Sequence, residues 1–224
     1  MNKLAAISSW SGGKDSCYAY FKAIKAGCEV KYLLNFTTRG TGRGCFHGIE
    51  GRLMRRQASL LGVPLVQREV SPDMRKYEEE FKEAVSELKI NGIGAMVFGD
   101  IYLLEHASWV DRVCKDLAIT PVEPLWNLPA ARILEEFLDL GFKAIIVSCQ
   151  AEKLGKEFIG RCLEKSMIKE FEDRGVCPCG ENGEFHTLVV DGPIFKEPIK
   201  ILESETIFKE GFWKHWFLDI KRYE

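Results

Sequence analysis

One short stretch constrains the fold more than any other: Ser11-Gly12-Gly13-Lys14-Asp15-Ser16. An apolar run, Leu4-Ala5-Ala6-Ile7, precedes it, and a segment with helical periodicity follows from Cys17 through Ile24 to Gly27. The stretch therefore reads as a strand-to-helix turn. Paired glycines let the backbone bend tightly and approach a ligand closely. The first turn of a helix offers unpaired N–H groups and the positive end of a dipole, which favour an anion. Ser11 and Ser16 add hydroxyl donors and Lys14 a mobile positive charge, so the stretch suits a phosphate group. Asp15 is repulsive beside phosphate unless a cation such as Mg²⁺ lies between them.

The loop is not a Walker A loop. That pattern needs glycine at the place Ser8 holds, and Ser or Thr where Asp15 stands. The G-x-G-x-x-G dinucleotide spacing is absent as well. Ser-Gly-Gly-Lys-Asp-Ser resembles instead the PP-loop of ATP pyrophosphatases. That superfamily cleaves ATP between the α- and β-phosphates and adenylates a substrate.

The chain has 224 residues, of which 46% are hydrophobic, enough for one large domain or two small ones with a real core. A net charge of -2 and no run of like charge give no electrostatic reason to expect nucleic acid as the main partner. The N-terminal apolar run is too short for a signal peptide, and no run approaches the length of a membrane span. A cytoplasmic location is expected, with the 8 cysteines reduced. Cys17, Cys114 and Cys162 fall in helical patterns and Cys149 follows an apolar strand, as small buried residues do.

Further strands are expected at 30–36, 65–70, 95–98 and 143–148, with helices at 51–61, 77–90, 110–117, 133–140 and, mainly, 158–174. Residues 37–48 form a glycine-rich loop with Arg39 and Arg43, either a connector or a substrate-binding loop. The wholly apolar run at 95–98 ends in Gly99-Asp100-Ile101, and the C-terminal end of a parallel strand is where open α/β sheets bind ligands. Pro121 and Pro124 make 120–126 a poor central strand and a crossover into a second region. Alternating strands and helices to about residue 123 indicate a doubly wound parallel sheet over 1–126, with a smaller α+β domain over 127–224. Short β-like runs are expected there at 188–190, 199–202 and 213–220.

The second concentrated feature is Glu181-Asn182-Gly183-Glu184-Phe185-His186-Thr187. Two carboxylates, an amide, an imidazole and a hydroxyl could hold magnesium, an amine or an acidic substrate, with His186 as a general base or orienting donor. A capped surface turn would look much the same. Cys177-x-Cys179 lacks the C-x₂-C spacing of a zinc knuckle and has no matching second pair, although Cys45 and His47 could complete a site across the fold.

Together these residues resemble the diphthine–ammonia ligase (diphthamide synthase) family of PP-loop ATP pyrophosphatases. The resemblance rests on residues 11–16, Phe46-His47-Gly48, Phe98-Gly99-Asp100-Ile101, Pro124-Leu125-Trp126, Gly141-Phe142-Lys143-Ala144-Ile145, and 179–187 running into Val190-Asp191-Gly192-Pro193. It implies the adenine nucleotide α-hydrolase-like (HUP) form of the doubly wound fold. ATP phosphates would lie on Ser11, Gly12, Gly13, Lys14, Asp15 and Ser16, with Mg²⁺ at Asp15 and adenosine near Gly99 and Asp100. A carboxylate would be adenylated with loss of pyrophosphate, and ammonia would then displace AMP. Lys14, Asp15, Glu181, Asn182, Glu184 and His186 would be catalytic, and His47, Gly48 and Thr187 would bind the acceptor, diphthine on translation elongation factor 2. A homodimer is allowed.

Members tied to diphthamide carry a Tyr-Gln-Arg-type run after Gly-Asp-Ile. Here Tyr102-Leu103-Leu104-Glu105-His106-Ala107-Ser108-Trp109 resembles a sister group, so the same chemistry on another small carboxylate is the alternative. A nucleotide-binding protein without turnover, or a tRNA-modifying PP-loop enzyme, are the remaining readings. The charge balance and the lack of a basic extension count against the last.

Overall fold

A computed structural model describes residues 3–45, 48–210 and 214–224, without the side chains of residues 74 and 75. Its first half runs β1 (Ala5–Ser9), α1 (Lys14–Lys25), β2 (Glu29–Thr38), β3 (Arg43–Gly44), α2 (Gly51–Leu61), β4 (Leu65–Val70), α3 (Met74–Lys89), β5 (Ala95–Val97), α4 (Leu104–Asp116) and β6 (Thr120–Val122). The parallel strands lie in the order β4-β2-β1-β5-β6, and the two residues of β3 pair antiparallel with Thr37 and Thr38. The chain winds outward from β1 through β2 to β4, then returns to the other side of β1 for β5 and β6. Strand order therefore reverses between β1 and β5, and the crevice beyond their C-terminal ends is the switch point at which such sheets bind ligands.

Alternation along the strands assigns the two faces. Ala6, Leu33, Ala95 and Val97 pack with Cys17, Phe21, Leu53 and Met54 from α1 and α2. Ile7, Leu34 and Met96 pack with Phe81, Val85, Val110 and Val113 from α3 and α4. Helices on both faces explain why β5 carries no polar residue. Residues 120–122, expected as part of a crossover, form a strand that pairs β5 at the sheet edge. A proline is tolerated there because no further strand needs its N–H.

The second half runs α5 (Ala130–Asp139), β7 (Lys143–Gln150), a 3₁₀ turn (Lys156–Phe158), α6 (Ser166–Asp173), β8 (Phe185–Asp191), β9 (Ile201–Glu210) and β10 (Lys214–Tyr223). Its strands form a separate antiparallel sheet in the order β8-β7-β10-β9. The expected long helix over 158–174 is corrected to a turn, a stretch without helix and the short α6. Gly160 takes a left-handed φ of 83°, and Cys162, exposed and outside any helix, bridges Ile145 of β7 instead. The apolar spacing that suggested helix is nonetheless used, since Phe158, Leu163, Met167 and Phe171 are all buried. The β9–β10 hairpin is longer than the short runs expected, because β9 is an edge strand with mostly exposed residues.

The two sheets share one core. Phe137, Phe142, Phe171 and Phe185 belong to the same cluster as Ala6, Trp10 and Phe21. Among the described residues, no helix is long and apolar enough to cross a membrane.

Candidate active site

The loop that leaves β1 is held from below by one side chain. Gln57 of α2, fully buried, donates Nε2 to the Gly12 carbonyl (3.0 Å) and to the Val189 carbonyl (2.8 Å), while its Oε1 accepts from Trp10 Nε1 (2.8 Å). The Val189 amide of β8 donates to the same Gly12 carbonyl at 2.9 Å. Gly12 has φ 78°, and a Cβ there would stand 2.6 Å from Met54 Sδ. Both the conformation and the space therefore require glycine. The Ser11 and Ser16 hydroxyls are 3.0 Å apart, and Ser16 Oγ donates to the Gly13 carbonyl (3.1 Å). Helix α1 starts after Gly13, which has no side chain to cap it, and among the described residues only the Lys14 amide of its first turn meets the side chain of another residue, the Thr187 hydroxyl. A helix start without a side-chain cap at a strand end is a ready anion site.

Gly99 closes the other side. A Cβ at Gly99 would lie 2.9 Å from both the carbonyl carbon of Asp15 and the amide of Ser16. Only glycine lets the end of β5 approach the first turn of α1 this closely.

Lys14 departs from expectation. It is 3% exposed, and its ammonium bonds Asp15 Oδ2 (2.8 Å) and the Cys179 carbonyl, 5.2 Å from the centroid of the Phe185 ring. A mobile charge is thus corrected to a buried tie between the phosphate loop and the C-terminal half. An ammonium taken out of water needs such partners. Burial works against its charge, but the neighbouring Asp15 carboxylate more than restores it. Burial likewise pushes the Asp15 carboxyl up, against the opposing pull of Lys14. Asp15 Oδ1 is buried with no hydrogen-bond partner among the described residues. A carboxylate oxygen left in that state fits a cation ligand.

The C-terminal segment closes over this corner. The Lys14 amide donates to Thr187 Oγ1 (3.0 Å), so Thr187 supports the loop. Glu181 accepts from the Ile101 amide (2.9 Å), and burial pushes its carboxyl up to about 7. Glu184, 4% exposed, spends both oxygens on its own segment. It accepts from the amides of Cys177 and Asn182 and from Asn182 Nδ2, each at 3.0 Å, so it shapes the turn. Asn182 Nδ2 also reaches the Tyr102 hydroxyl at 3.1 Å. His186 lies on β8, where burial holds its pKa down to about 4 and leaves it neutral at pH 7. Cys179 Sγ donates to the Ala130 carbonyl (3.3 Å).

Lys14, Asp15, Ser16, Gly99, Asp100, Glu181, Asn182, Glu184 and Thr187 are thus linked through this corner. Gly48 is placed elsewhere: its carbonyl accepts from Arg43 (2.9 Å), and a Cβ on it would lie 3.4 Å from the Phe217 ring of β10. Arg43 also pairs with Asp219 (2.7 Å) and Arg39 with Glu80 (2.5 Å), so both loop arginines have partners within the fold. His47 lies outside the described residues.

Several residues in this corner were not singled out from sequence. A cavity of about 360 Å³ opens at the ends of β1 and β5, walled by Tyr77, Phe81, Phe98 and Trp109, with Asp100 and His106 at its polar edge. Its size and aromatic walls suit a small-molecule ring. Tyr77 and Phe81 read as an ordinary amphipathic face, and the same face supplies the wall. His106, in the first turn of α4, meets Asp100 Oδ1 through Nδ1 at 2.9 Å. Its signal in the sequence was a histidine six residues past a strand-end aspartate. A larger polar cavity of about 440 Å³, beside Glu50, Arg52, Arg55, Gln67 and Glu69, shares no residue with the phosphate loop.

A doubly wound sheet, a glycine turn opening a helix at its switch point and an aromatic cavity beside that turn define a nucleotide-binding α/β protein. The chain belongs to the diphthamide synthase family: the family's N-terminal domain matches residues 3–121 and its C-terminal domain residues 129–224. It is similar to the diphthine–ammonia ligase of Danio rerio, with 27% identity over 222 residues, 88% of this chain and 86% of that one. To the Homo sapiens diphthine–ammonia ligase the identity is 28% over 223 residues, 88% and 82% of the two chains. A solved structure described as a predicted subunit of tRNA methyltransferase from Methanocaldococcus jannaschii superposes with a TM-score of 0.47 at 16% identity, covering 85% of this chain and 98% of that one. That likeness is too loose to bear on function.

Proposed function

We propose that this chain is an ATP-dependent carboxylate–ammonia ligase of diphthamide synthesis, acting on diphthine of translation elongation factor 2. The observation that carries the reading is the closure of the 177–187 segment on the phosphate loop. Thr187 and the Cys179 carbonyl bond the amide and the ammonium of Lys14, and Glu181 bonds the Ile101 amide beside the nucleotide crevice. The activating and accepting halves of the reaction then share one corner. Family membership and the names of the relatives support the same reading.

In this proposal residues 1–126 bind ATP and residues 127–224 present the acceptor side. The phosphates rest on residues 11–16, and the base occupies the aromatic cavity. Asp15 Oδ1 is the oxygen suited to Mg²⁺, which supplies charge neutralisation at the phosphates. An acceptor carboxylate oxygen attacks the α-phosphorus, the bond to the bridging oxygen breaks, and pyrophosphate leaves. The acyl carbon then takes the ammonia nitrogen, AMP departs with its oxygen, and the amine proton is lost. Adenylation is needed because a carboxylate is a poor electrophile at neutral pH. The protein contributes position and charge stabilisation. Glu181 and Asn182 orient the incoming amine, and neutral His186 can hydrogen-bond it without charge repulsion. Glu184 and Thr187 hold the segment in place.

One observation favours a second acceptor. The run that departs from the diphthamide-linked pattern contributes Tyr102 and His106 to this same corner, so the acceptor could be another small carboxylate with unchanged nucleotide chemistry. Incubation with ATP, Mg²⁺, ammonium and diphthine-bearing elongation factor 2 separates the two. The first reading expects AMP, pyrophosphate and an amidated factor, all lost in Asp15→Ala. No AMP above background would sink diphthine as the acceptor.

A further inference from the structure

At the mouth of the aromatic cavity, three side chains converge that the ligase reading does not require as a set. Asp100 at the end of β5, His106 in the first turn of α4 and Glu181 from the C-terminal segment each place one ligand-type atom within 4.8 Å of the others. The three come from two halves of the chain, and Asp100 and Glu181 have separate anchors. Asp100 follows the Gly99 contact with α1. His106 is fixed by its bond to Asp100, and Glu181 by the Ile101 amide.

The surroundings carry an excess of negative charge. Asp15 in the first turn of α1 and Glu123 just past the end of β6 add two carboxyl groups at the same C-terminal edge of the sheet, where Lys14 is already paired with Asp15. Two nearby carboxylate oxygens, Asp15 Oδ1 and Glu123 Oε1, are buried without a hydrogen-bond partner among the described residues. Carboxylates gathered under burial without enough cations favour binding one.

We propose that Asp100, His106 and Glu181 form a site for a first-row transition-metal dication, of which Mn²⁺ or Zn²⁺ is the natural occupant, separate from the Mg²⁺ that accompanies ATP. The donor set sets the class. Mg²⁺ strongly prefers oxygen ligands and gives up its water reluctantly, whereas one imidazole with two carboxylates suits the transition dications. Three protein ligands leave open positions for a substrate oxygen or nitrogen. Ligands at about 2.1 Å from a metal stand roughly 3–4 Å apart, so the present spread needs only a modest contraction. The His106 side chain is 54% exposed, and giving up its Nδ1 bond to Asp100 in favour of a metal leaves it room to turn and supply it.

The site does not depend on the ligase reading, because binding is measured without ATP or acceptor. Full-length, nucleotide-free protein is titrated with Mn²⁺, and the free ion is counted by electron paramagnetic resonance. One Mn²⁺ per chain is expected, displaced by Zn²⁺. His106→Ala should weaken it by at least about tenfold, since even loss of an outer-shell partner costs that much. Asp100→Asn serves as a second probe that keeps the shape of the corner, and Asp15→Asn, which removes a neighbouring charge but no ligand, should weaken binding less than His106→Ala. Circular dichroism of each variant checks that the fold is intact. Equal Mn²⁺ binding by wild type and His106→Ala would overturn the proposal. So would a larger loss in Asp15→Asn than in His106→Ala, which would assign the ion to the phosphate loop.

Discussion

His186 shows what a single position does when an ionisable ring is half-buried on a strand. In the unfolded chain its imidazole takes up a proton near pH 6.5. In the fold, burial delays protonation to about pH 4, with Lys14 and His215 adding to the shift. The neutral ring therefore contributes stability that is present above pH 6.5 and is lost as pH falls from there toward 4. The full contribution is about 3 kcal/mol. Denaturant unfolding measured across this window should show wild-type stability falling with pH more steeply than that of His186→Asn. Parallel curves would refute the assignment. At the same scale, legibility from sequence followed locality. Ser11, Gly12, Gly13 and Ser16 were readable because a turn and a helix start are decided by neighbours. The burial of Lys14 was not readable, because its partner Cys179 is 165 residues away. Glu184 looked like a reacting group, since composition cannot reveal that its oxygens are already occupied by the adjacent turn.

Among elements, the attachment of α2 to the phosphate loop decides most. Leu53, Met54 and Ala58 gave α2 its apolar face, and the spacing of those residues was enough to predict the helix. Gln57 on the same helix carries a different burden, tying Trp10, Gly12 and Val189 together. Replacing it with leucine keeps the volume and removes three hydrogen bonds, leaving buried polar groups unpaired. We expect Gln57→Leu to cost roughly 2–4 kcal/mol. ATP affinity should fall further than in a comparably destabilising substitution on α6. A denaturant midpoint and a nucleotide titration on both variants would test this, and equal affinities would remove the clamp from the account. The parallel strands were legible because burial on both faces makes them continuously apolar, as in β5. β9 was seen only at its first residues, because an edge strand with mostly exposed side chains has no apolar run to betray it.

For the whole molecule, the division of sequence character near residue 126 does not divide the interior. A single cluster of buried residues passes from Trp10 and Phe21 through Phe142 to Phe171 and Phe185. Two sheets that share a core should unfold together. Calorimetry is expected to give one transition, with calorimetric and van't Hoff enthalpies equal. Two resolved transitions would mean that the sheets are held by the loop contacts alone. Fold class was legible here from the alternation of elements. The packing of one sheet on the other was not, since it depends on side chains whose contacts are distant in sequence.

The backbone pairing of Val189 with Gly12 has a consequence for the order in which the protein comes into being. During synthesis the strand, both glycines and Lys14 emerge long before β8, and the loop they form is chemically complete. Structurally it is not. A nascent chain that has reached only β7 has neither the Val189 amide for the Gly12 carbonyl nor the Thr187 hydroxyl for the Lys14 amide. The phosphate loop thus waits on a strand made 173 residues after it, and its final geometry is set only once β8 has left the ribosome.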